Sequence, residues 1–235
     1  PKPSSAASDV YKRQDMYTSY KQNRPAPPDE LIPQFDYVKD ISEQFGFVNI
    51  GVANYEADDV IGTLAKTYSK DNEVHIVTGD KDILQYINEQ VEVWLIRKGF
   101  NIYHRYTLNR FNEEYALHPL QLIDIKAFMG DSADGYPGVK GIGEKTAIKL
   151  IQSYGSVENV LDNIESLTPG QQKKIATDKE NLMLSKQLAE IYTDVPIDTT
   201  ALYEEMEYTH SLNHILSICN EHELYVSSKY LASKF

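Results

Sequence analysis

The chain has almost no cysteine and no long apolar segment, and these absences exclude several classes of protein. Cys219 is the single cysteine among 235 residues, which rules out an internal disulfide and a cysteine-based metal cluster. No apolar run approaches the roughly 20 residues of a membrane helix, and the first residues do not resemble a secretory leader. We therefore expect a cytoplasmic protein with no membrane contact, in which any metal would be bound by oxygen.

Positive charge is scarce as well. With 23 Lys and Arg against 35 Asp and Glu, the net charge is −12 at pH 7. Binding to a nucleic acid backbone normally requires a basic face, so this total argues at first against such a partner. The argument fails if many of the acids lie in one site and are neutralised by divalent cations. Local clusters of charge therefore matter more than the total.

Hydrophobic periodicity divides the chain into an α/β half and a helical half that join near Met129. Apolar runs predict strands over residues 48–52, 73–80, 91–97 and about 101–104. Helical spacing predicts helices over about 29–45, 56–68, 107–116, 119–129, 144–154, 156–164, 169–176, 180–192 and 212–223. We accordingly expect a disordered or non-native head (1–14), an α/β core (15–129), a helical region (130–198) and a tail with one helix (199–235).

Carboxylates gather in three short clusters, each beside apolar sequence. They are YEADD with Glu56, Asp58 and Asp59, TGDKD with Asp80 and Asp82, and GDSAD with Asp131 and Asp134. Each cluster alone has an ordinary structural explanation. Acids favour the first turn of a helix, TGDKD suits a turn, and GDSAD suits a polar loop after a helix.

Together the clusters indicate a metal site. Carboxylates at the ends of successive elements would repel one another strongly unless cations lay between them. Oxygen ligands select Mg²⁺ or Mn²⁺, and two such ions about 4 Å apart suit phosphodiester cleavage. The sequence has no GxSxG motif, and its histidines are scattered without ligand spacing. Metal-assisted hydrolysis is therefore the chemistry that the acids favour.

A glycine turn before a helix offers a site for a phosphate. In GVKGIGEKTAIKLI, Gly141 and Gly143 permit a tight turn, and Glu144 begins a helix whose free N–H groups point outward. An ordinary glycine turn would explain the same glycines, and the dinucleotide-binding fingerprint is incomplete. The candidate residues for contact with the DNA backbone are Lys140, Gly141, Ile142, Gly143, Lys145, Thr146 and Lys149.

The strings YEADDVIGTLA, VTGDKDILQ and FMGDSADGYPGVKGIGEKTAIKLI, in this order, resemble the 5′-nuclease domain of bacterial DNA polymerase I and the related stand-alone 5′-3′ exonucleases. The resemblance spans about Met16 to Ile197. It implies a PIN-like, mostly parallel sheet core followed by a helix-hairpin-helix element with a K⁺ ion nearby. It also implies that all seven acids are catalytic metal ligands for two Mg²⁺ or Mn²⁺ ions. Tyr20, Lys21 and Arg24 would belong to the segment that contacts the 5′ single strand, with Lys21 also catalytic.

Two departures from the family pattern stand out. The family begins with a strand that carries a metal-site Asp, and residues 1–14 stand in its place, so we expect an N-terminally truncated or misjoined sequence. Gly135 follows Asp134 where the family usually has Asn.

The resemblance implies a monomeric structure-specific 5′-3′ exonuclease and 5′-flap endonuclease that acts in primer removal and DNA repair. Its substrates would be flapped, nicked or gapped DNA, and it would act with or be fused to a DNA polymerase. Two alternatives remain open. A non-catalytic DNA-junction binder would retain the hairpin with an incomplete metal site, and an RNA-directed PIN nuclease would explain the acids but not the hairpin.

Overall fold

The structure is a computed structural model that describes residues 11–97 and 102–234. The chain divides into two compact units. Of the described residues, 11–24 and 52–195 form the larger unit, and 25–51 and 196–234 form the smaller one. Within the described ranges, no helix combines the length and the apolar character needed to cross a membrane.

Twelve α-helices and three strands occur in the described ranges. The helices are α1 (Tyr11–Met16), α2 (Ile32–Gln44), α3 (Ala57–Tyr68), α4 (Leu108–Tyr115), α5 (Gln121–Met129), α6 (Glu144–Tyr154), α7 (Val157–Asp162), α8 (Pro169–Thr177), α9 (Lys179–Ala189), α10 (Thr199–Glu205), α11 (Leu212–Glu221) and α12 (Tyr225–Ala232). The strands are β1 (Val74–Thr78), β2 (Val91–Ile96) and β3 (Tyr103–Tyr106).

The sheet of the larger unit has the order β1-β2-β3. β1 and β2 are parallel, with Val74 opposite Val91, whereas β2 and β3 are antiparallel, with Val93 opposite Tyr106. The described sheet is therefore mixed, with one parallel and one antiparallel pair. The strand predicted near residues 101–104 pairs with β2 as an antiparallel hairpin, because a parallel neighbour needs a much longer crossover than the short connection after β2.

One apolar core runs through the larger unit. Val93 from the sheet, Phe128 from α5, Ile151 from α6 and Leu182 from α9 are all buried in the same cluster. The boundary predicted between residues 129 and 130 thus falls inside this core. The α/β part and the helical part of the larger unit are stabilised by the same buried apolar surface.

Local sequence explains where several helices begin and end. Thr168 caps α8 by accepting a hydrogen bond from the Gln171 N–H, and Pro169 occupies the first turn. Gly155 ends α6 with a positive φ of 86°, a conformation that glycine adopts without strain. These ends match the predicted helices closely.

Two predictions in the smaller unit are wrong. Residues 48–52 form no strand, because the Asn49 side chain donates to the Lys39 carbonyl (3.0 Å) and holds this segment against α2. The tail has three helices instead of one. The predicted helix is α11, α10 precedes it and buries Leu202, and α12 follows it without a buried residue.

The prediction of a disordered head is wrong for Tyr11–Gln14, while residues 1–10 lie outside the described ranges. Residues 11–14 belong to α1, and the Arg13 side chain is buried in the larger unit. A short polar segment gave no sign of this in its composition, because the partner that orders it lies far away in the sequence.

Candidate metal centre

The end of β1 positions the second acidic cluster. The Asp80 N–H donates to Thr78 Oγ1 (3.0 Å), and the Asp80 carboxylate accepts from the Asp82 N–H (2.9 Å). Asp82 then begins a short 3₁₀ helix whose Ile83 and Leu84 side chains are buried. The carboxyl end of a strand in an α/β sheet is where ligand sites gather. Both carboxylates are therefore held at that edge by local hydrogen bonds and a buried anchor.

A tight loop after α5 positions the third cluster. Gly138, at a φ of 60°, lies so close to Gly130 that a Cβ atom on Gly138 would be 2.2 Å from the Gly130 nitrogen. The Gly138 N–H donates to the buried Ser185 Oγ (3.1 Å). Asp131 stabilises the turn from within by accepting from the Ala133 N–H (2.8 Å) and the Asp134 N–H (3.2 Å). The close backbone contact thus fixes where both acids of GDSAD point.

The structure brings Asp82, Asp131 and Asp134 together. One carboxylate oxygen from each lies within 4.8 Å of the other two. The Lys126 ammonium on α5 lies between two of them, 2.6 Å from Asp82 Oδ1 and hydrogen bonded to Asp131 Oδ2. Burial would raise the pKa of Asp131, but Lys126 holds it below its usual range. Burial raises the pKa of Asp82 even against the attraction of Lys126.

Glu56 immediately precedes α3 and faces the same cluster. Its Oε2 accepts from Lys21 Nζ (2.7 Å) and from the Tyr20 hydroxyl (3.4 Å), which also donates to Asp134 Oδ2 (3.2 Å). Its Oε1 is buried and has no hydrogen-bond partner within the described part of the chain. Burying a carboxylate oxygen without a hydrogen-bond donor costs folding free energy. Glu56 Oε1 is therefore an acceptor that is open to a ligand.

Asp58 and Asp59 are adjacent but lie in different surroundings. Burial, followed by the repulsion of Asp80, raises the pKa of Asp58 to about 6. Burial would also raise the pKa of Asp59, but its hydrogen bonds to Arg13 hold it below its usual range. Asp58 therefore faces other carboxylates, whereas Asp59 is neutralised by a guanidinium.

The turn before Pro25 supplies cations to the centre. Tyr20 is buried and stacks on Tyr136 at a ring distance of 6.4 Å. Lys21 has a positive φ of 56°, and its Nζ lies 3.9 Å from Asp134 Oδ2. Arg24 donates to Asp134 Oδ1 (2.6 Å). The resemblance implied that these three residues contact DNA. In the structure their side chains donate hydrogen bonds to Glu56 and Asp134.

The predicted hairpin forms. Gly141 has a φ of 79°, and Gly143 directly precedes α6. Ile142 is buried and anchors the loop, while Lys145 and Lys149 on α6 and Lys140 are exposed. Thr146, in the first turn of α6, donates its N–H to the Gly143 carbonyl (2.9 Å). The Gly141 carbonyl accepts from Lys174 Nζ (2.9 Å), a contact with α8 that the sequence did not suggest.

The described residues fit divalent cations. The candidate metal ligands are all carboxylate oxygens, and one oxygen each from Asp82, Asp131 and Asp134 lies close to the other two. Lys21 and Lys126 already place positive charge on Glu56, Asp82 and Asp131. The unpaired Glu56 Oε1 marks an acceptor that a cation would satisfy.

Sequence reasoning missed two basic residues of the centre, Lys126 and Arg13. Lys126 had a visible signal, because it is the one charged residue in the last five of the apolar helix IDIKAFM, five positions before Asp131. Arg13 had none, since nothing local relates it to Asp59, which lies 46 residues away.

Comparison with known protein families matches two consecutive parts of the chain. Residues 4–116 match the 5′-3′ exonuclease, N-terminal resolvase-like domain. Residues 117–211 match the 5′-3′ exonuclease, C-terminal SAM fold.

Among individual relatives, a 5′-3′ exonuclease of Bacillus subtilis is 50% identical over 188 residues, which are 80% of this chain and 64% of that protein. A DNA polymerase I of Lactococcus lactis is 43% identical over 190 residues, 79% of this chain and 22% of that protein. The chain thus spans less than two thirds of the length of either relative.

Solved structures support the fold. A structure of the T5 D15 protein, co-crystallised with metal ions, is 22% identical with a TM-score of 0.63, over 89% of this chain and 78% of that one. The catalytic core of Rad2 in complex with DNA is 17% identical with a TM-score of 0.53, over 89% of this chain and 70% of that one. An α/β core followed by a helical region with a hairpin is therefore confirmed, and the chain belongs to the 5′-3′ exonuclease family.

Proposed function

We propose that the protein is a metal-dependent, structure-specific nuclease that removes 5′ ends and 5′ flaps from DNA. The observation that carries the proposal is the convergence of Asp82, Asp131 and Asp134 at the carboxyl end of β1. Half-buried carboxylates in such proximity repel one another and favour a bound cation. The names of the similar proteins, 5′-3′ exonuclease and DNA polymerase I, support the same reaction.

Two Mg²⁺ or Mn²⁺ ions are the proposed cofactors. Asp82, Asp131 and Asp134 would hold one ion, and Glu56, Asp58 and Asp80 are the remaining candidate ligands. When bound, the ions supply an activated water and stabilise the oxygen that leaves the phosphate. The T5 structures with bound metal ions support a divalent cofactor for this fold.

The chain's own cations have separate tasks in this proposal. Lys126 holds the carboxylates of Asp82 and Asp131 in position before any ion arrives. Lys21 and Arg24, which contact Glu56 and Asp134, are the groups able to turn to a phosphate once ions neutralise the acids. Tyr20 orients Glu56 and Asp134 through its hydroxyl.

DNA would be bound through its backbone at the hairpin. The free N–H groups that begin α6, with exposed Lys140, Lys145 and Lys149 nearby, suit a phosphate and read no base. The K⁺ ion that the resemblance implies does not fit at the Gly141 carbonyl, which already accepts from the Lys174 ammonium.

The finer parts of the proposal concern substrate and partners. Flapped, nicked or gapped duplexes are the expected substrates, in primer removal and repair. The similarity to DNA polymerase I supports a DNA polymerase as fused or separate partner. We further propose that the protein acts as a monomer in the cytoplasm.

The test is cleavage of a 5′-labelled flap duplex, with Mg²⁺ or with EDTA, by this chain and by a longer chain with the natural flanking sequence. The proposal predicts Mg²⁺-dependent release of the labelled flap, and Asp131→Asn should abolish it. Tight binding of the duplex without cleavage by either chain would instead favour a DNA-junction binder. Cleavage of RNA but not of DNA would favour an RNA-directed nuclease.

A further inference from the structure

A buried ion pair lies beside the acidic centre. Arg13 is 7% exposed, and its guanidinium donates from Nη1 to Asp59 Oδ2 (3.0 Å) and from Nη2 to Asp59 Oδ1 (2.8 Å). Asp59 itself is 3% exposed. This two-point geometry is the strong form of a guanidinium–carboxylate pair, and burial protects it from screening by salt.

The Asp59 carboxylate has no acceptor left for a metal. Besides Arg13, its Oδ2 accepts from the Glu56 N–H (3.0 Å) and its Oδ1 from the Tyr192 N–H (2.9 Å). Each oxygen therefore receives two hydrogen bonds, and an ionised carboxylate offers about four acceptor positions. Glu56, three positions earlier, has an oxygen with no partner in the described residues. Both oxygens of Asp59 are thus fully hydrogen bonded, whereas within the described ranges only one oxygen of Glu56 is.

The pair also fastens the segment that follows α9. Arg13 donates to the carbonyls of Leu188 (3.4 Å) and Glu190 (3.0 Å), and Asp59 accepts from Tyr192. A neighbouring contact continues the attachment, because the Val195 N–H donates to Thr63 Oγ1 (3.1 Å) on α3. The start of α3, with Glu56 just before it and Asp58 in its first turn, is therefore tied to a segment more than 130 residues later.

Arg13 reaches the metal centre through this pair. Its Nη1 lies 3.6 Å from Glu56 Oε2, and Asp59 holds the Glu56 backbone N–H. We propose that Asp59 is a positioning residue, not a metal ligand: paired with Arg13, it fixes the Glu56 carboxylate and fastens α3 to residues 188–195. The inference rests on the proposed metal-dependent function, and it replaces the ligand role that the sequence suggested for Asp59.

Two substitutions separate the roles of ligand and positioning residue. Arg13→Gln removes no possible metal ligand, whereas Asp59→Asn removes one carboxylate oxygen. If Asp59 acts through Arg13, both variants raise the Mn²⁺ concentration for half-maximal binding by about tenfold, as loss of a supporting contact does at metal sites. The double variant should be no worse than either single one, because both remove the same interaction. For the milder Arg13→Lys, the half-maximal Mn²⁺ concentration should lie between those of the wild type and Arg13→Gln.

A second readout needs no metal. Hydrogen exchange in EDTA should become faster in the peptide that covers residues 188–195 for Arg13→Gln and Asp59→Asn, because the Tyr192 N–H loses its buried acceptor. Asp58→Asn should leave this peptide unchanged. Circular dichroism at low temperature verifies that each variant is folded.

Asp124→Asn is the matched control for simple destabilisation. Asp124 is also a buried, paired carboxylate, with Lys186 Nζ at 2.8 Å and the Val157 N–H at 3.0 Å. Its loss should destabilise the protein but leave the half-maximal Mn²⁺ concentration unchanged. An equal shift in this variant would overturn the positioning role.

Two further outcomes would also overturn the proposal. One is a normal half-maximal Mn²⁺ concentration in Arg13→Gln together with fewer bound ions in Asp59→Asn, which is the behaviour of a ligand. The other is unchanged exchange of residues 188–195 in both variants. If the wild type bound no Mn²⁺ at all, the proposed function would fail, and the exchange experiment would still decide whether Arg13 and Asp59 fasten this segment.

Discussion

Asp58 and Asp59 are neighbours in the first turn of α3, yet the protein surrounds them in opposite ways. Asp59 receives a guanidinium and two backbone N–H groups. Burial, and then repulsion by Asp80, Glu56 and Asp82, raises the pKa of Asp58 to about 6. Adjacent positions on a helix point about 100° apart, so one turn can serve two environments.

The difference shows that acids of one cluster have separate roles, Asp59 in stability and Asp58 in the proposed metal site. The paired carboxylate stabilises the fold at neutral pH, since its pKa is held below the usual range. Asp58 and its neighbours Asp80, Glu56 and Asp82 repel one another, and a bound cation would relieve that repulsion. Such an arrangement is typical of a site that gives up stability for function.

The largest effect should come from the converging acids. Asp131→Asn should lower Mg²⁺-dependent cleavage of a flap duplex by at least about 100-fold, because it weakens both a candidate ligand and the contact to Lys126. Asp80→Asn should abolish cleavage in the same way. Asp162→Asn, an exposed acid on α7, is the matched control. Duplex binding should persist in the variants, and unchanged cleavage would refute the ligand role of either acid.

The paired side of the comparison should appear in stability. Asp59→Asn should lower the free energy of unfolding by about 3 kcal/mol, because the buried Arg13 would lose its hydrogen-bonded counterion and keep only Glu56, 3.6 Å away. Among the residues that the structure describes, Asp58 forms no ion pair, so Asp58→Asn should leave no buried charge without its partner. Urea unfolding of both variants in EDTA measures the difference, and equal losses would contradict the contrast between the two residues.

The hairpin should affect binding rather than chemistry. Replacing Lys145 and Lys149 by Ala should weaken duplex binding by a similar factor for all sequences and reduce the salt slope by about 0.9 for each lost phosphate contact. Fluorescence anisotropy at several salt concentrations measures this. A loss that depends on sequence would contradict a backbone-only contact.

The smallest effect concerns the pH dependence of the metal-free protein. Between the ordinary pKa of 3.8 and about 6, folded Asp58 keeps a proton that the unfolded chain has lost. The free energy of unfolding should therefore fall as pH rises through this range, and Asp58→Asn should remove part of the fall. Thermal unfolding in EDTA at several pH values tests it. A variant that follows the wild-type curve throughout would show that Asp58 is not destabilised.

Much of the fold and part of the site followed from local sequence. Helices with a clear apolar period, such as α4 and α6, and the turn at Gly141 were predicted because neighbouring residues decide them. Residues 48–52 read as a strand by composition, but a side-chain contact to α2 holds them elsewhere. Arg13 and the satisfied state of Asp59 depend on partners far along the chain, and no local pattern encodes such a pair.

The most direct test of the metal centre is a titration of the chain with Mn²⁺ near neutral pH, in which electron paramagnetic resonance measures the bound ion. The account predicts saturable binding that is lost or greatly weakened in Asp131→Asn. It also predicts that Asp59→Asn binds the same number of ions as the wild type. Absence of saturable binding in the wild type, or equal binding by Asp131→Asn, would contradict the claim that these acids form a metal site.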